Sequence, residues 1–599
     1  MRRIAFIGII GAAMAASAFV GCGRRREFDR SDKGDFNFDA SVADGPVCGQ
    51  QCSLDGRSVI DGCTGETVQV CADDEACGAA VCQEPCAAAA ADPSSRGCEF
   101  YLQEPLYWKG YGQSCYAAFV VNTANRPVDF TLEKDGVELD ISKAVFSTQP
   151  GSGELTPHEG SIDPGESVIV FVSDRGPGGP TIKVIDGSFV PCPEGAVAAS
   201  YAWPGPEGTG VGSSFHLKST LPIALMSIYP YGGAVSFLPT GMLHLPVSAW
   251  KKENIIVQAW ESNYNANFPA WPGTQIVASD DTDITIVPTH DVADGLRHWG
   301  GIIGGPAHVP KTYHLAKGQY LQLAQEAPLT GSLVYSTKPV GIFGGHTAAN
   351  TGACCADTLQ QQIPAFEQWG NEYVGVGYRP RLGNEAELIG YRIVAARDGT
   401  RLDYDPELPA GAPTELKAGE FATFVAPTGH PFVVRTQDAD HPIYLGAYMS
   451  SASGGGIFGH VENADGDPEF VNVIPVGQYM NSYSFFADST YKETSLVVVR
   501  QKNNGKFDDV WLECAGNLTD FKPVGTRGEF EWTRVSLMHN YGPGDSFGSN
   551  TCTSGRQTMR SNGPFAATIW GWSPWSSYGY AGGMAMRTLV PNPLPPVVN

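Results

Sequence analysis

The chain has 599 residues, which is room for about four or five domains of ordinary size. Hydrophobic residues make up 42% and charged residues 17%, so the chain can form packed cores and is too polar for a multi-spanning membrane protein. The formal net charge of −24 argues against a nucleic-acid ligand, because binding to phosphates needs clustered lysine and arginine. It indicates an acidic, solvated surface.

The N-terminus has the pattern of an export signal. An arginine pair precedes an apolar run over residues 4–20, and a glycine then precedes Cys22. This order resembles the lipobox of bacterial lipoproteins, which implies a signal peptide over residues 1–21 and lipidation of Cys22. Gly23 after the cysteine favours an outer-membrane lipoprotein that faces outward. Cleavage near residues 16–18 without lipidation is the alternative.

A charged segment and a cysteine-rich segment follow. Residues 22–47 mix charges with few apolar side chains, which predicts a flexible tether. Eight cysteines crowd into residues 48–98, and an exported segment this short cannot bury enough apolar surface to fold unaided, so we predict a disulfide-rich module. A zinc cluster is the weaker alternative, because the segment has no histidine and no paired C-x2-C motifs. The eight are Cys48, Cys52, Cys63, Cys71, Cys77, Cys82, Cys86 and Cys98.

The remainder of the chain repeats one phrase four times. Each copy places small or polar residues before a proline and then an apolar run, and the prolines are 117, 103 and 122 residues apart. A second phrase, an aliphatic residue and proline before an aromatic residue, keeps the same step. A period near 115 residues is the size of a small domain, so each copy has room for its own core. The four prolines are Pro222, Pro339, Pro442 and Pro564.

Short apolar strand patterns with turn signals between them recur in every copy. They predict an all-β chain of tandem β-sandwich-like repeats of about 115 residues behind the small disulfide-rich module. The proline phrase is expected to close a hairpin, with the proline at a strand start. A propeller-like closed ring is the alternative architecture. We place the repeats at residues 99–250, 251–370, 371–480 and 481–599.

Six more cysteines lie in these repeats, and we expect them to pair within repeats. Two fall in the first repeat and two in the fourth. The two in the second are adjacent, so that either a vicinal disulfide or a bond from one of them to another cysteine fits. The six are Cys115, Cys192, Cys354, Cys355, Cys514 and Cys552.

The second repeat carries the most specific pattern, which resembles the N-terminal repeat of IgGFc-binding proteins of mucus. The residues that carry it are 336–347, 354–357, 361–364, 369–374 and 391–400. Asp357 stands near where that family has histidine, and Gln361 stands where it has glutamate, so no role is carried over for either side chain. The whole layout is similar to large surface lipoproteins of myxobacteria and their relatives.

The resemblance implies a surface-exposed binding or adhesion protein without catalytic residues, and it does not imply antibody binding. We accordingly predict a non-enzymatic, lipid-anchored cell-surface protein for adhesion or protein binding. A carbohydrate-binding surface protein is the alternative, and an extracellular hydrolase is the third reading. The expected partners are an unknown protein or glycan at the cell surface and the membrane through the lipid anchor, but not nucleic acid.

Aromatic clusters supply candidate ligand contacts, because exposed rings stack on sugars and dominate protein interfaces. Trp260, Tyr264 and Trp271 lie in a loop rich in glycine, proline and asparagine, which favours exposure. A second cluster spans residues 570–580, where two tryptophans at a spacing of two are predicted to point into a core.

Polar candidates are fewer. His346 follows an aromatic-glycine pattern and is a candidate ligand contact, although a hydrogen bond to a loop is the ordinary explanation. Asp465, Asp467 and Glu469 offer hard oxygen atoms at short spacing, which suits structural calcium. No other cofactor or metal is expected.

Overall fold

Almost all regular structure in the described chain is β-strand, which confirms the all-β prediction. The computed structural model describes residues 49–597 except 54–55, 107–112, 177–189, 202–204, 207, 234–237, 266–267, 353–354, 453–457 and 459–463. The predicted signal peptide, the tether with Cys22, and Cys48 lie outside the described residues.

The cysteine-rich module consists of two small sheets and one short helix. Its strands are Gln50–Cys52, Ser58–Asp61, Thr67–Val70, Ala76–Gly78 and Val81–Gln83, and its helix is Pro85–Ala91. Its described disulfides are Cys52–Cys77, Cys71–Cys82 and Cys86–Cys98, and Cys63 is also disulfide-bonded. Val68, Val70 and Val81 stay exposed, so cross-links stabilise a module with little apolar burial.

Four copies of one sandwich-like unit follow. The first copy has strands Arg96–Leu102, Tyr116–Asn122, Phe130–Lys134, Val137–Glu138, Val145–Thr148, Leu155–Pro157, Ser167–Ser173, Phe215–Tyr229 and Thr240–Leu243. The second copy has Lys251–Ile255, Asn263–Asn265, Phe268–Ala270, Pro272–Ala278, Thr282–Val287, Lys311–Leu315, Gln319–Ala324, Leu333–Ala349 and Asp357–Ile363, and Gly210–Ser213 joins its sheet.

The third and fourth copies repeat the same strand order. The third copy has Glu372–Gly375, Leu388–Ala395, Thr400–Asp405, Glu415–Leu416, Phe421–Pro427, Phe432–Thr436, Ile443–Met449 and Glu469–Asn472. The fourth has Met480–Ala487, Glu493–Gln501, Val510–Leu512, Gly516–Asn517, Lys522–Val524, Phe530–His539, Gly542–Pro543, Ser546–Phe547, Asn550–Thr551, Gly555–Ser573 and Ser576–Ala581. Short 3-10 helices are Val247–Ala249, Arg297–Trp299, Phe366–Gln368 and Val476–Gln478.

Disulfides also cross-link the first and fourth copies internally. The structure joins Cys115 to Cys192 within the first copy and Cys514 to Cys552 within the fourth. Cys355 is disulfide-bonded as well, whereas Cys354 lies outside the described residues.

The prediction that the proline phrase closes a hairpin is wrong. In the second copy, one continuous strand pairs with Thr282–Val287 through residues 333–336 and with Pro272–Ala278 through residues 340–346. Pro339 lies between these two stretches, where a missing N–H is tolerated because the strand is changing sheets. We call these the crossover strands: Phe215–Tyr229, Leu333–Ala349, Phe432–Thr436 with Ile443–Met449, and Gly555–Ser573.

The last strand of each copy lies at the centre of the molecule. Each of these inner strands contacts the inner strands of two other copies, so the four close into a ring. Gln361 Nε2 donates to Gly241 O at 2.7 Å and to Gly579 O at 2.9 Å, which joins three of them. The fold is therefore a closed ring of four sandwich-like units. The inner strands are Thr240–Leu243, Asp357–Ile363, Glu469–Asn472 and Ser576–Ala581.

The inner strands of the ring are parallel to one another. Gln360 N donates to Thr240 Oγ1 at 3.3 Å, and the next residue, Gln361, bonds the next residue, Gly241. The same parallel order holds between the third and fourth inner strands. All four inner strands thus begin at one end of the ring.

Glutamine side chains link the 3-10 helices at the opposite end. Gln368 Nε2 donates to Ala249 O at 2.7 Å, and Gln478 Nε2 donates to Gln368 O at 3.0 Å. The C-terminal segment continues the series, because Arg587 N donates to Gln478 Oε1 at 2.9 Å. Buried amides of this kind are costly to leave unbonded, so they fix the order of the copies.

Hydrophobic packing also crosses the boundaries between copies. Phe119 of the first copy stacks on Phe486 of the fourth, with ring centroids 4.4 Å apart. The ring centroids of Tyr378 in the third copy and Trp570 in the fourth lie 5.2 Å apart. Two apolar clusters therefore extend across copies, whereas a third lies wholly within the first copy.

A buried histidine ties three strands of the first copy together. His216 Nδ1 lies 2.5 Å from Glu133 Oε1, its Nε2 lies 2.8 Å from Glu99 Oε1, and the ring of Tyr101 stacks on it at 4.2 Å. Only an imidazolium can donate to both carboxylates. These hydrogen bonds hold the pKa of Glu99 and the pKa of Glu133 below the usual range.

Replacing His216 with phenylalanine keeps a ring against Tyr101 but removes both hydrogen bonds. We expect the free energy of unfolding at pH 7 to fall by about 2 kcal/mol. Carboxylates with a lowered folded pKa stabilise the fold above their unfolded pKa and lose that effect as the pH falls through the folded value. The variant should accordingly lose less stability than the wild type between about pH 5 and pH 3 in urea denaturation. Exposed His314, replaced in the same way, is the control, and identical pH profiles for wild type and His216→Phe would contradict the proposed pairing.

Candidate functional site

The loop face is the end of the ring at which the inner strands begin. The described parts of four segments that connect a crossover strand to its inner strand lie there, within residues 230–239, 350–356, 450–468 and 574–575. Because loops on a rigid scaffold commonly carry binding residues, this face is the first place to look for a site.

A small hairpin, Asn263–Asn265 with Phe268–Ala270, adds to the loop face. Asn263 Nδ2 donates to Ala348 O at 3.1 Å, and Asn350 N donates to Asn263 Oδ1 at 3.2 Å. The structure thus places the segment that contains Trp260, Tyr264 and Trp271 beside the second connecting segment.

Trp260 is half-buried and its ring is engaged in packing. Its centroid lies 5.3 Å from that of Tyr448 and 5.9 Å from that of Phe458. The buried guanidinium of Arg392 lies 4.8 Å from the Trp260 ring and donates to Glu261 Oε1 at 2.6 Å. These contacts join the second and third copies and leave Trp260 only partly accessible.

The other predicted aromatic contacts are less informative. Trp271 is half-buried, and its backbone pairs with Thr347 through hydrogen bonds of 2.9 and 3.0 Å. Tyr264 lies in the strand Asn263–Asn265, but its side chain is outside the described part of the structure.

His346 is fully buried, which removes it from the surface expected for a ligand contact. Its Nε2 lies 3.0 Å from Glu261 O, and its Nδ1 accepts a hydrogen bond from Ala348 N at 3.1 Å. Burial lowers the pKa of His346 to about 3, so the ring is neutral with one N–H. Both ring nitrogens are engaged in holding the segment around Glu261 to the crossover strand.

Two large aromatic side chains project from the loop face in the fourth copy. Trp575 is 47% exposed and Tyr541 is 56% exposed. Each sits at the second position of a two-residue turn, after Pro574 and Asn540 respectively. We call Tyr541 and Trp575 the aromatic tips.

The two turns flank the same strand end. Tyr541 N donates to Lys492 O at 2.9 Å, and Lys492 N donates to Ser573 Oγ at 2.8 Å. One strand, Glu493–Gln501, lies between Phe530–His539 and Gly555–Ser573, so the two strands that enter these turns are about 10 Å apart. Lys492 Nζ is ion-paired to Asp465 Oδ2 at 2.7 Å on this side of the ring.

Both aromatic tips hold a backbone conformation that disfavours them. Tyr541 has φ 61° and Trp575 has φ 63°, in the left-handed region that glycine and asparagine usually occupy. A bulky residue there costs about 1–2 kcal/mol. Strain of this kind clusters at binding sites, and it directs attention to these two side chains.

Three carboxylates are buried on the ring axis beneath the loop face. Burial raises the pKa of Asp357, of Asp467 and of Glu469 well above the usual range, and the charges of Asp467 and Glu469 raise the pKa of Asp357 further. Asp465, predicted to share a calcium ion with Asp467 and Glu469, is instead paired with Lys492. Among the described residues, no three His, Cys, Asp or Glu side chains are arranged as a metal site.

A family comparison adds to this geometry. The family described as IgGFc binding protein matches residues 240–571, which is more than half of the chain. The chain belongs to this family. No curated protein and no solved structure matches the chain.

The IgGFc-binding family is a family of binding domains, which supports a protein-binding role, and its members are typically extracellular or secreted. The match begins at the inner strand of the first copy and ends inside the crossover strand of the fourth. Tyr541 therefore lies within the family match and Trp575 lies just beyond it. None of the helices in the described ranges is long and apolar enough to cross a membrane.

Residues 544–548 have the G-x-S-x-G spacing of a hydrolase nucleophile. That chemistry needs the serine on a sharp turn between a strand and a helix. Ser546 instead lies in a two-stranded ribbon and shares a 3.1 Å hydrogen bond with Thr551 Oγ1. The local fold does not build a nucleophile elbow.

Sequence pattern gave partial guidance to the aromatic tips. The alternation over residues 570–580 correctly places Trp570 and Trp572 in the core, where they are 1% and 3% exposed. Trp575 departs from this alternation because the residue lies in the turn. Tyr541 carried no predictive signal beyond the preceding asparagine, a residue that favours left-handed turns.

Glycine at either aromatic tip should relieve the backbone strain. We expect Trp575→Gly and Tyr541→Gly each to raise the free energy of unfolding by about 0.5–1 kcal/mol in guanidinium denaturation. Exposed Leu408, replaced by glycine, is the control, because it is not among the residues with positive φ and should show no gain. A lower free energy of unfolding in both tip variants would show that the aromatic rings pack on the protein rather than remain free to contact a ligand.

Proposed function

We propose that this chain is a lipid-anchored cell-surface protein that binds a protein ligand through the aromatic tips and mediates adhesion without catalysis. The observation that carries the proposal is the pair Tyr541 and Trp575, two exposed rings held in strained turns that follow strands about 10 Å apart in one sheet. Tyrosine and tryptophan dominate the binding energy of protein interfaces. Membership of a binding-domain family supports the same assignment.

The polar groups of the loop face favour binding over catalysis. Lys492 and Asp465 neutralise each other, and His346 is neutral with both nitrogens engaged. A general acid or base must reach the substrate, and these groups are committed to the structure. These three side chains therefore favour binding over hydrolysis.

The N-terminal pattern supports the anchor. A lipidated Cys22 would hold the protein at the outer membrane, and residues 22–47 would separate the ring from the lipid surface.

Carbohydrate binding is the second candidate. Trp575 presents an exposed indole face, and such faces stack on the apolar faces of sugar rings. The same two side chains would contact either a protein or a carbohydrate ligand. One set of variants therefore distinguishes the two candidate functions, according to which ligand they bind more weakly.

The function is tested with the soluble full chain carrying Cys22→Ser. We expect binding to intact cells of the source organism to weaken at least about tenfold for Trp575→Ala and for Tyr541→Ala, as for interface hot spots. Leu408→Ala, an exposed side chain in the third copy, is the matched control. Binding to a glycan array that is lost in the same variants would assign the carbohydrate role, and unchanged binding throughout would reject the site.

The anchor is tested separately. We expect the wild-type chain to incorporate labelled palmitate and to fractionate with the outer membrane, because acylation supplies the stable attachment. Cys22→Ala should abolish labelling and release the protein into the soluble fraction. Retention of the label in Cys22→Ala would contradict lipidation at this residue.

A further inference from the structure

Unpartnered polar atoms gather on the ring axis beneath the loop face. Each is fully buried and has no hydrogen-bond partner among the described residues, whereas more than about 90% of buried polar groups in proteins are bonded. Five side chains contribute them, from the second, third and fourth copies. We call them the axial cluster: Asp357 Oδ1 and Oδ2, Asp467 Oδ1, Asp488 Oδ2, Tyr491 Oη and Ser576 Oγ.

Electrostatic interactions link four members of the axial cluster. The negative charge of Asp467 acts on Asp357, and the charges of Asp357 and Asp488 act on Tyr491. Asp467 N also donates to Ser577 Oγ of the fourth inner strand at 3.2 Å. Carboxylates of the second, third and fourth copies thus lie near one another.

The neighbouring Glu469 shows what a satisfied carboxylate looks like in the same place. Its oxygens accept hydrogen bonds from Gly241 N at 3.1 Å, Phe470 N at 2.8 Å and Thr240 Oγ1 at 3.4 Å. Neither oxygen of Asp357 has such a partner. Simple burial on the axis therefore does not explain the unpartnered carboxylate.

The charge of the buried Arg381 lowers the pKa of Asp467, whereas the charges that act on Asp357 are those of Asp467 and Glu469. Arg381 itself donates to Glu387 Oε1 at 2.7 Å and to Ser450 O and Oγ at 2.9 and 2.7 Å. An uncompensated buried carboxylate is strongly unfavourable. Carboxylate, hydroxyl and carbonyl oxygens are the ligands that Ca²⁺ prefers, in numbers of six to eight and with flexible geometry.

We propose that the axial cluster binds one Ca²⁺ ion through the carboxylates of Asp357 and Asp467. Hydroxyl and backbone oxygens and water complete its coordination, since no three His, Cys, Asp or Glu side chains of the described residues are arranged to hold a metal ion together. The ion joins the second and third copies at the start of their inner strands and so fixes the connecting segments of the loop face. This site differs from the set predicted from sequence, because Asp357 replaces Asp465.

The test uses the soluble full chain with Cys22→Ser after exhaustive dialysis against EDTA. We expect Ca²⁺ to raise the melting temperature by about 2–5 °C, with a smaller effect of Mg²⁺. Elemental analysis after dialysis against excess calcium-free buffer should give one calcium per chain in protein purified with Ca²⁺. Asp357→Asn and Asp467→Asn should abolish the calcium-dependent shift. Asp140→Asn, a change at an exposed aspartate, should retain it.

The alternative is that the two aspartates are protonated acids without an ion. In that case Asp357→Asn and Asp467→Asn raise the melting temperature in EDTA, and Ca²⁺ has no effect on the wild type. That result, or a calcium content near zero in the wild type, overturns the proposal even if a variant fails to fold. Ligand binding by the aromatic tips is measured separately, so either proposal can fail alone.

Discussion

Closure of the ring by the inner strands is the constraint on which the rest of the structure depends. Gln361 reaches the backbone of two other copies, 120 and 218 residues away in sequence. These bonds are buried, so a copy displaced from the ring would leave donors and acceptors unsatisfied in an apolar interior. The parallel order of the inner strands also follows from them, and that order gathers four connecting segments at one end. The loop face is therefore a consequence of ring closure.

Local sequence pattern was enough for the strands and for the repeat, but not for how the strands are connected in space. The apolar runs on either side of Pro339 predict two strands and a break between them. A hairpin and a bent strand that changes sheets give the same pattern, since both interrupt the ladder at the proline. The choice between them depends on the partners Thr282–Val287 and Pro272–Ala278. Local sequence pattern did not predict ring closure either, because an isolated buried glutamine that bonds to other copies produces no periodic signal in the sequence.

The candidate site shows the same division. Spacing alone places Trp570 and Trp572 inside, because alternate residues of a strand face the same side. Trp260 looked exposed from its loop composition, yet Arg392 and Tyr448 from the third copy cover it. Exposure of a loop residue depends on which other segment folds over it, and that segment here lies more than 100 residues away. Much of the motif that carries the family resemblance lies in the crossover and inner strands of the second copy, Leu333–Ala349 and Asp357–Ile363.

A ring of four similar units could in principle carry four equivalent sites. The distribution of exposed aromatic side chains on the loop face favours a single site instead. Among the described residues, the exposed large aromatic side chains are Tyr201, Tyr541 and Trp575, and the last two share one edge of the fourth copy. Their turns have two central residues each, whereas the second and third copies use longer connecting segments. Short turns on a closed ring leave little freedom to lose on binding, which lowers the entropic cost of association. The departure of the fourth copy from the repeat is thus the feature that suits it to one ligand per chain.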